Sequence, residues 1–441
     1  MSAQETISVK RRLERLAVVI AAIFVLYLAF VGFLSITRGT PVQMVIAEGD
    51  RGGAPRVTDS LFERTIELYT GTHMDSGNMV QSVNNGSVYD SLWHDLHRAQ
   101  RTITVQMYYS LPGKVADSLA AILAERARAH VRVLLLLDAF GSQHLSARWA
   151  ERLRQAGVEL ALLRKLKWYS IHNATDRSHV RVVVIDGRIA YTGGFGLADY
   201  WLGDGRHEEQ WRESNVRFVG PAAMQLQAAF AAGWAEATGE LITGDVFFPR
   251  SSFAPIPGGI DAGVLYTAPT TGSTPAERFL ALSIASARKS LYITNSYFVP
   301  DDDFRSLLLA AVKRGVDVRV LTVSSKTDVK TTWYAGRYWY EELLRGGVRI
   351  FEYQPTMMHS KTIVVDGEWA TIGSMNFDNR SLAFNNESNL VVLDPGFGAQ
   401  MDSVFEQDLR YSREIRLAEF RKRPWWDHVL ETGAVMLSRV L

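Results

Sequence analysis

The stretch "HSKTIVVDGEWATIGSMN", residues 359–376, decides the fold of this chain. It begins with His359 and Lys361, continues through an apolar run and reaches Asp366-Gly367 before a second run that ends in polar residues. Asp-Gly between two apolar runs is typical of a tight β-hairpin turn. The stretch therefore predicts a hairpin whose apolar body carries polar side chains at its open end.

The turn also predicts which residues face each other across the hairpin. With a two-residue turn, counting back along both strands places His359 opposite Ser374, with Asn376 one step further on the same face. We expect the hairpin to return both polar side chains to the histidine. Asp366 lies in the turn, away from that end, so we expect it to have a structural or orienting role rather than to transfer a proton.

A second copy of the pattern lies 180 residues earlier, in "HVRVVVIDGRIAYTGGFG", residues 179–196. The residues that match the histidine, the cation, the turn aspartate and the following glycine are His179, Arg181, Asp186 and Gly193. The same register places His179 opposite Gly194. Other segments repeat too, since "VRVLLLLD" in one half is similar to "VRVLTV" in the other. Repetition at one constant offset indicates two homologous halves.

The order of apolar segments predicts an α/β protein. Strands alternate with helices in both halves, which is typical of a mixed sheet flanked by helices. A chain of 441 residues is long enough for two such halves. The predicted halves are residues 37–246 and 264–410, joined by a linker rich in Pro, Ser and Gly at residues 247–263. We expect a pseudo-twofold axis between them, with one active site on it.

The N-terminal segment is predicted to anchor the protein in a membrane. Residues 16–36 carry no charged side chain, and a helix of that length spans about 31 Å, close to the hydrocarbon thickness of a bilayer. A cleaved signal peptide or a buried helix is the alternative, but the run is longer than a signal core and no small-residue cleavage site follows. Basic residues in the tail, residues 1–15, favour a cytoplasmic N-terminus, with the globular body on the other face.

The C-terminal tail, residues 411–441, has a different amphipathic pattern. Three consecutive basic residues at 421–423 precede Trp425 and Trp426, and apolar residues then recur at helical spacing. Such a helix can lie at a membrane surface, with basic groups near lipid phosphates. Packing against the protein body explains the same spacing equally well.

The composition excludes several kinds of site and partner. A balance of 48 basic and 47 acidic residues gives a net charge of +1, so no overall positive charge favours nucleic acid. The absence of cysteine excludes disulfides, a thiol nucleophile and Cys-ligated zinc. No metal-ligand cluster is evident in the sequence, and we expect neither a metal nor another cofactor.

Two copies of the motif suit chemistry at one phosphate. One histidine can attack phosphorus while the other protonates the departing alkoxide and later deprotonates the acceptor. Cations and amide groups beside them can neutralise the non-bridging oxygens in the transition state. The candidate phosphate-binding residues are Arg181, Lys361, Ser374, Asn376 and Gly194.

These residues resemble the HKD motifs of the phospholipase D superfamily. Further stretches, including "YFVPDDDF" and "GSMNFDNRSLAFNNE", resemble bacterial cardiolipin synthases over roughly residues 65–441. The resemblance implies transfer of a phosphatidyl group, most commonly between two phosphatidylglycerol molecules, through a phosphohistidine intermediate. It also implies a single-pass protein of the bacterial cell membrane whose partners are phospholipids, namely phosphatidylglycerol and cardiolipin. Its oligomeric state stays open.

The resemblance also assigns roles to individual residues. It implies that His179 is the nucleophile and His359 the general acid and base. An acidic residue downstream of each motif orients a histidine across the interface in this family. Glu213 and Glu387 occupy those positions, and we expect Glu387 to pair with His179 and Glu213 with His359.

The first motif departs from the family pattern twice. Arg181 stands where lysine is usual, and Gly196 stands where asparagine is usual. Arginine binds phosphate, but its planar fork differs from an ammonium group. The alternatives that share this site are a phospholipase D that uses water as acceptor, a nuclease of the same superfamily, and a membrane scaffold without activity.

Overall fold

The structure is a computed structural model. It describes residues 3–38, 42–46, 54–165, 177–269 and 273–436, with the backbone alone for residues 3–11, 28 and 31–38.

The described chain begins with a long helix, α1 (Ala3–Arg38), which contains the predicted anchor, residues 16–36. Within the part of the chain that the structure describes, no helix is long and apolar enough to cross a membrane. The predicted anchor lies partly outside the described side chains, at residues 28 and 31–36. The Tyr27 hydroxyl of α1 donates a hydrogen bond to a backbone carbonyl near the C-terminus.

In the described part of the first half, seven strands lie in one sheet, with helices on both faces. Its elements are α2 (Ser60–Thr70), β1 (Asp75–Asn84), α3 (Ser87–His97), β2 (Thr102–Met107), α4 (Lys114–Arg128), β3 (Arg132–Asp138), α5 (Ala147–Gln155), β4 (Glu159–Leu163), β5 (Arg177–Ser178), β6 (Val182–Ile185), β7 (Ile189–Gly193), β8 (Trp211–Arg212), β9 (Ser214–Val219) and α6 (Pro221–Thr238). The strand order is β1-β9-β7-β6-β2-β3-β4. Strands such as β3 are continuously apolar because both faces of the sheet are covered.

The second half repeats this arrangement and adds one edge strand. Its elements are β10 (Ile260–Thr267), α7 (Pro275–Ser286), β11 (Ser290–Asn295), α8 (Asp302–Lys313), β12 (Asp317–Val323), α9 (Lys330–Tyr338), α10 (Tyr340–Arg345), β13 (Arg349–Tyr353), β14 (Met357–Met358), β15 (Lys361–Val365), β16 (Trp369–Gly373), β17 (Asn385–Leu393), α11 (Pro395–Leu409), β18 (Ser412–Ile415), α12 (Leu417–Phe420) and α13 (Trp425–Val435). The order β10-β17-β16-β15-β11-β12-β13 matches that of the first half, and β18 follows β13.

The two halves form one continuous body. Strand β1 pairs antiparallel with β9 of its own half and with β10 of the other. One buried cluster contains Val184 and Phe218 from the first half and Val364 and Leu390 from the second. The predicted mixed α/β fold with two homologous halves is therefore confirmed.

The elements do not follow the predicted boundaries between the halves. Helix α2 lies within the predicted first half, but its Phe62 and Ile66 pack in the core of the second half, with Phe279 of α7. Strand β10 begins at Ile260, inside the predicted linker. Strand β18 lies in the tail that was predicted to be helical, because it completes the edge of the sheet beside β13.

The hairpin of the second motif has a different register from the predicted one. A two-residue turn would pair Val365 with Glu368, whereas the structure pairs Val365 with Trp369. Asp366 and Gly367 do have the positive φ angles of 57° and 69° that a type I′ turn requires. The extra residue bulges out of the ladder, so every facing pair shifts by one position.

The first-half hairpin contains the same bulge, because Ile185 pairs with Ile189. In both halves the shift breaks the predicted pairings at the open end. His179 no longer faces Gly194, and His359 no longer faces Ser374.

The C-terminal helix α13 has one packed face and one exposed face. Its Ala434 is buried against Ala335 of α9 and Val299. Trp425 and Trp426 are 73% and 54% exposed. Packing on the body and an apolar outer face therefore coexist in this helix.

Candidate active site

Each motif histidine is held by the backbone of the opposite half. Strand β5, just before His179, pairs with the start of β17, and β14, just before His359, pairs with β8. The His179 N–H donates to the carbonyl of Asn386 at 2.9 Å, and the His359 N–H donates to that of Arg212 at 2.8 Å. This reciprocal exchange brings both motifs to the boundary between the halves.

Both histidines contact a carboxylate from the other half. Glu387 Oε2 lies 3.0 Å from His179 Nδ1, and Glu213 Oε2 lies 2.5 Å from His359 Nδ1. The structure thus brings together the two pairs that the resemblance predicts. A carboxylate that accepts from Nδ1–H leaves the lone pair of Nε2 available for chemistry.

Burial keeps both imidazoles neutral at neutral pH. It lowers the pKa of His179 to about 4, and the charge of Arg181 acts in the same direction. Burial also lowers the pKa of His359 well below its ordinary value, again helped by a neighbouring cation, Lys361. Neutral imidazole is the form that can attack phosphorus.

The two cations make different contacts. Lys361 Nζ donates to Ser296 Oγ at 2.9 Å and to the His359 carbonyl, and burial lowers its pKa to about 7. Arg181 Nε donates to the Phe195 carbonyl at 2.9 Å, and Nη1 donates to the His179 carbonyl at 2.7 Å. Its Nη2 lies 3.2 Å from His179 Nε2. The arginine therefore contacts Nε2, the ring nitrogen of His179 that is not bound to Glu387.

Ser374 lies beside the first-half histidine, not beside His359 as the two-residue turn predicts. Its hydroxyl donates to Glu387 Oε2 at 2.5 Å, and its carbonyl oxygen is 3.0 Å from His179 Nδ1. The bulge is the reason, since the shifted register sends this end of the hairpin across the boundary. Ser374 therefore holds the His–Glu pair, a contact different from the predicted phosphate contact.

Gly194 is the first-half counterpart of Ser374. A Cβ at Gly194 would lie 2.3 Å from Glu213 Oε2, so a side chain there would displace the carboxylate. Glu213 instead accepts from Trp201 Nε1 at 3.2 Å. Burial raises the pKa of Glu213 to about 7.

The unusual glycine of the first motif makes room for an aromatic ring. A Cβ at Gly196 would lie 2.8 Å from the ring of Trp201. The space that Asn376 fills in the second half is therefore used by tryptophan in the first. Asn376 lines the central cavity, where its predicted phosphate contact is possible.

The motif aspartates stabilise the hairpins. Asp186 accepts from the backbone N–H groups of residues 100, 101 and 102 at 2.7–3.1 Å. Asp366 makes the same set of bonds with residues 288, 289 and 290. Each carboxylate ties a turn to the start of the neighbouring strand, which agrees with a structural role.

A cavity of about 310 Å³ lies where the two motifs meet. Its lining includes both histidines, Arg181 and Asn376. Sequence reasoning missed other lining residues, which are Tyr108, Tyr109, Trp201, Trp211, Tyr297, Asp328, Val329, Thr332, Asp378, Arg380, Ser381 and Asn385. Several of them lie in the quoted stretch "GSMNFDNRSLAFNNE", which was the available signal. No cluster suited to a metal ion occurs among the described residues.

Comparisons with known proteins agree with this geometry. The family model described as "Cardiolipin synthase, PLD-like domain" matches residues 92–234 and 280–409. Cardiolipin synthase from Geobacillus kaustophilus is 33% identical over 360 residues, which cover 81% of this chain and 71% of that protein. Cardiolipin synthase A from Pseudomonas putida is 30% identical over 401 residues, which cover 88% and 82%.

Solved structures show the same fold at low sequence identity. Phosphatidylserine synthase from Haemophilus influenzae superposes with a TM-score of 0.65 at 12% identity, covering 87% of this chain and 100% of that one. Polyphosphate kinase from Porphyromonas gingivalis gives 0.51 at 14% identity, over 77% of this chain and 49% of that one. The sequence matches, joined to the paired motifs, show that the chain belongs to the cardiolipin synthase family of phospholipase D-like proteins.

Proposed function

We propose that this protein synthesises cardiolipin by transferring a phosphatidyl group to phosphatidylglycerol, with phosphatidylglycerol also as donor. One observation carries the proposal: two buried neutral histidines, each paired with a glutamate of the opposite half, line one cavity together with Arg181, and Lys361 donates to the His359 carbonyl behind it. Family membership supports a phospholipid as the substrate. The cavity provides a nucleophile, a proton carrier and two cations for one phosphodiester.

The reaction proceeds in two displacements at phosphorus. In the first, the anionic phosphodiester favours the protonated form of His359; His179 Nε2 then forms a bond to phosphorus, the bond to the headgroup oxygen breaks, and the protonated His359 gives that oxygen a proton. In the second, His359 takes the proton of the acceptor hydroxyl, whose oxygen bonds to phosphorus as the phosphorus–nitrogen bond breaks. The products are cardiolipin and glycerol.

The different cations support this division of roles. Arg181 holds a permanent charge against Nε2 of His179, which keeps that nitrogen unprotonated. The second site contains Lys361 and Glu213, and the pKa of each is about 7 because of burial. Groups that titrate near neutral pH can pass protons to and from His359. An arriving phosphodiester anion also favours the protonated form of that histidine.

The membrane anchor and the location of the body form part of the proposal. We place residues 16–36 across the bacterial cell membrane, with the catalytic body on the non-cytoplasmic face, on the strength of their apolar length and the basic residues before them. The chain contains no cysteine, so single cysteines can test this directly. A membrane-impermeant maleimide should label Ser251→Cys in intact cells and should not label Ser2→Cys. Labelling of Ser2→Cys without labelling of Ser251→Cys would show the opposite orientation.

The activity is tested with the purified full chain in mixed micelles of detergent and phosphatidylglycerol. We expect cardiolipin and glycerol to appear in equal amounts, and His179→Asn serves as the matched inactive control. If phosphatidic acid forms without cardiolipin, the activity is that of a phospholipase D and the proposed synthase activity is wrong. DNA or RNA cleavage faster than lipid turnover would favour a nuclease.

A further inference from the structure

The cavity has two walls at equivalent positions of the two halves, but their chemistry is opposite. Residues 194–213 form the wall beside His359, and residues 374–387 form its counterpart beside His179. The first wall is aromatic: Trp211 lies 4.9 Å from the His359 ring, and Trp201 lies 5.0 Å from Trp211, between ring centroids. The second wall is polar. The two walls therefore occupy equivalent positions in the fold but offer different chemical groups to a ligand.

The polar wall contains buried oxygen atoms without hydrogen-bond partners. Ser381 and Asn385 are 1% and 6% exposed, both line the cavity, and neither Ser381 Oγ nor Asn385 Oδ1 has a partner in the described structure. Asn376 Oδ1, on the same wall, is also unpaired. Such a group destabilises the folded protein while it stays unsatisfied. Buried polar groups are normally paired. Unpaired buried atoms also occur elsewhere in the described chain, but these three line the cavity, where a ligand can pair with them.

A π-helical turn presents one of these atoms, the Ser381 hydroxyl. Residues Arg380–Phe384 form this turn between β16 and β17, and Asn385 follows it directly. Turns of this type are rare and often occur at functional sites. Asp378, two residues before the turn, accepts the Ser381 N–H at 2.8 Å. The turn therefore places the Ser381 hydroxyl and the Asp378 carboxylate on the same wall.

The unpaired atoms define what a ligand must offer. Amide oxygens and carboxylates accept hydrogen bonds, and Asp328, which already accepts from the Tyr297 hydroxyl at 2.7 Å, lines the same cavity. A phosphodiester has no donor, so it can pair with the Ser381 hydroxyl but not with these oxygens. The amide and carboxylate oxygens of the wall therefore require hydroxyl or ammonium groups.

Charge separates these two possibilities. Burial raises the pKa of Asp378 to about 6, which leaves it mostly ionised at neutral pH, and the charge of Arg380 opposes that shift. Two arginines, Arg380 and Arg181, line the cavity with the two carboxylates of Asp378 and Asp328, so the charges of the lining balance. A neutral ligand with several hydroxyls keeps this balance, whereas an ammonium group adds a charge.

We propose that the polar wall, together with Asp328, binds the glycerol of the phosphatidylglycerol headgroup. This inference rests on the proposed function and specifies its alcohol site. The same wall would hold the glycerol that leaves in the first displacement and the headgroup that attacks in the second. Holding the alcohol in place favours transfer over hydrolysis, because a positioned hydroxyl competes with water at a high effective concentration.

The test compares alcohols with and without extra hydroxyl groups. Purified full-length protein receives phosphatidylglycerol together with deuterated glycerol, ethanol or ethanolamine, and the labelled phosphatidyl products are quantified by mass spectrometry. We expect the wild type to prefer glycerol per mole over both other acceptors. Asp378→Asn and Ser381→Ala should each lower the ratio of glycerol product to ethanol product about 10-fold, which corresponds to about 1.4 kcal/mol.

Asp402→Asn is the matched control. Burial raises the pKa of Asp402 to about 6, as it does for Asp378, but Asp402 lies on α11 and does not line the cavity. An unchanged ratio in both wall variants, an equal change in the control, or a wild-type preference for ethanolamine would overturn the inference. Absence of every phosphatidyl product would instead refute the proposed function, so the two failures are distinguishable.

Discussion

The two histidine motifs have the same backbone arrangement but differ in the cation beside the histidine. Asp186 and Asp366 make the same bonds to three successive N–H groups, and both hairpins contain the same bulge. Yet the cation is Arg181 in one motif and Lys361 in the other. The comparison teaches that the scaffold of a duplicated site can stay symmetric while its chemistry diverges.

The change of cation is accompanied by a change of neighbour. Lys361 is held by Ser296, the residue that follows β11. The residue that follows the equivalent strand, β2, is Tyr108, and the Arg181 guanidinium lies 6.0 Å from its ring centroid. A compact ammonium suits a hydroxyl partner, whereas a planar guanidinium suits an aromatic face. Arg181 is therefore part of a local set and not an isolated departure.

The largest expected effect comes from removing the histidines. His179→Asn and His359→Asn should each lower cardiolipin synthesis by roughly 10⁴-fold or more, since each acts as a unit with the other. The two variants should differ with a phosphatidyl p-nitrophenyl ester, whose leaving group needs no proton. We expect His359→Asn to release a burst of one equivalent of p-nitrophenol and His179→Asn to release none, as followed by stopped-flow absorbance. A burst from His179→Asn and none from His359→Asn would show that His359 is the nucleophile and His179 the general acid and base.

A smaller effect, equal in both halves, is expected at the turn aspartates. Asp186→Ala and Asp366→Ala should each lower the free energy of unfolding by about 2 kcal/mol, because three backbone N–H groups lose their acceptor. Denaturant unfolding of the detergent-solubilised chain measures this. Asp90→Ala, at an exposed position of α3, is the control and should change it by less than about 0.5 kcal/mol. A loss in one half only would show that the scaffold is not symmetric.

The smallest effect is expected from exchanging the cations. The pKa of Lys361 is about 7, so its charge is lost as pH rises through 7 and kcat/KM should fall on the alkaline side. Glu213 also has a pKa of about 7, so the observed value belongs to the cluster. Lys361→Arg should abolish the fall, because arginine keeps its proton. Arg181→Lys should retain the fall and lower kcat/KM by about 10-fold.

Persistence of the alkaline fall in Lys361→Arg would assign it to Glu213 instead. A pH profile of Arg181→Lys that matches the wild type in height would show that the contact with His179 Nε2 has no effect on the reaction.

The sequence was a good guide wherever residues act through a local pattern. The constant offset of 180 residues predicted two halves and one shared site, and the Asp-Gly turns predicted a structural role for Asp366. The resemblance predicted the crossed pairs of histidine and glutamate. It did so because the family places an acidic residue downstream of each motif, and this chain has Glu213 after the first and Glu387 after the second.

Local pattern failed where one residue changes a whole register. The Asp-Gly signal is the same whether the next residue pairs or bulges, so the predicted facing of His359 and Ser374 was wrong. Gly196 looked like a missing asparagine in the sequence. In the structure, the absence of a side chain at Gly196 leaves room for the ring of Trp201. No local pattern in the sequence reveals this contact.

By itself, the sequence determined the duplicated α/β scaffold, the two histidines, the two cations and the acidic partners. Only the tertiary structure decided that each histidine is held by the backbone of the opposite half, that Ser374 serves His179, and that one wall of the cavity is aromatic and the other polar. The physical reason is that hairpins and helices follow from neighbours along the chain. The site depends on contacts between residues up to 208 positions apart, and packing alone sets which of them meet.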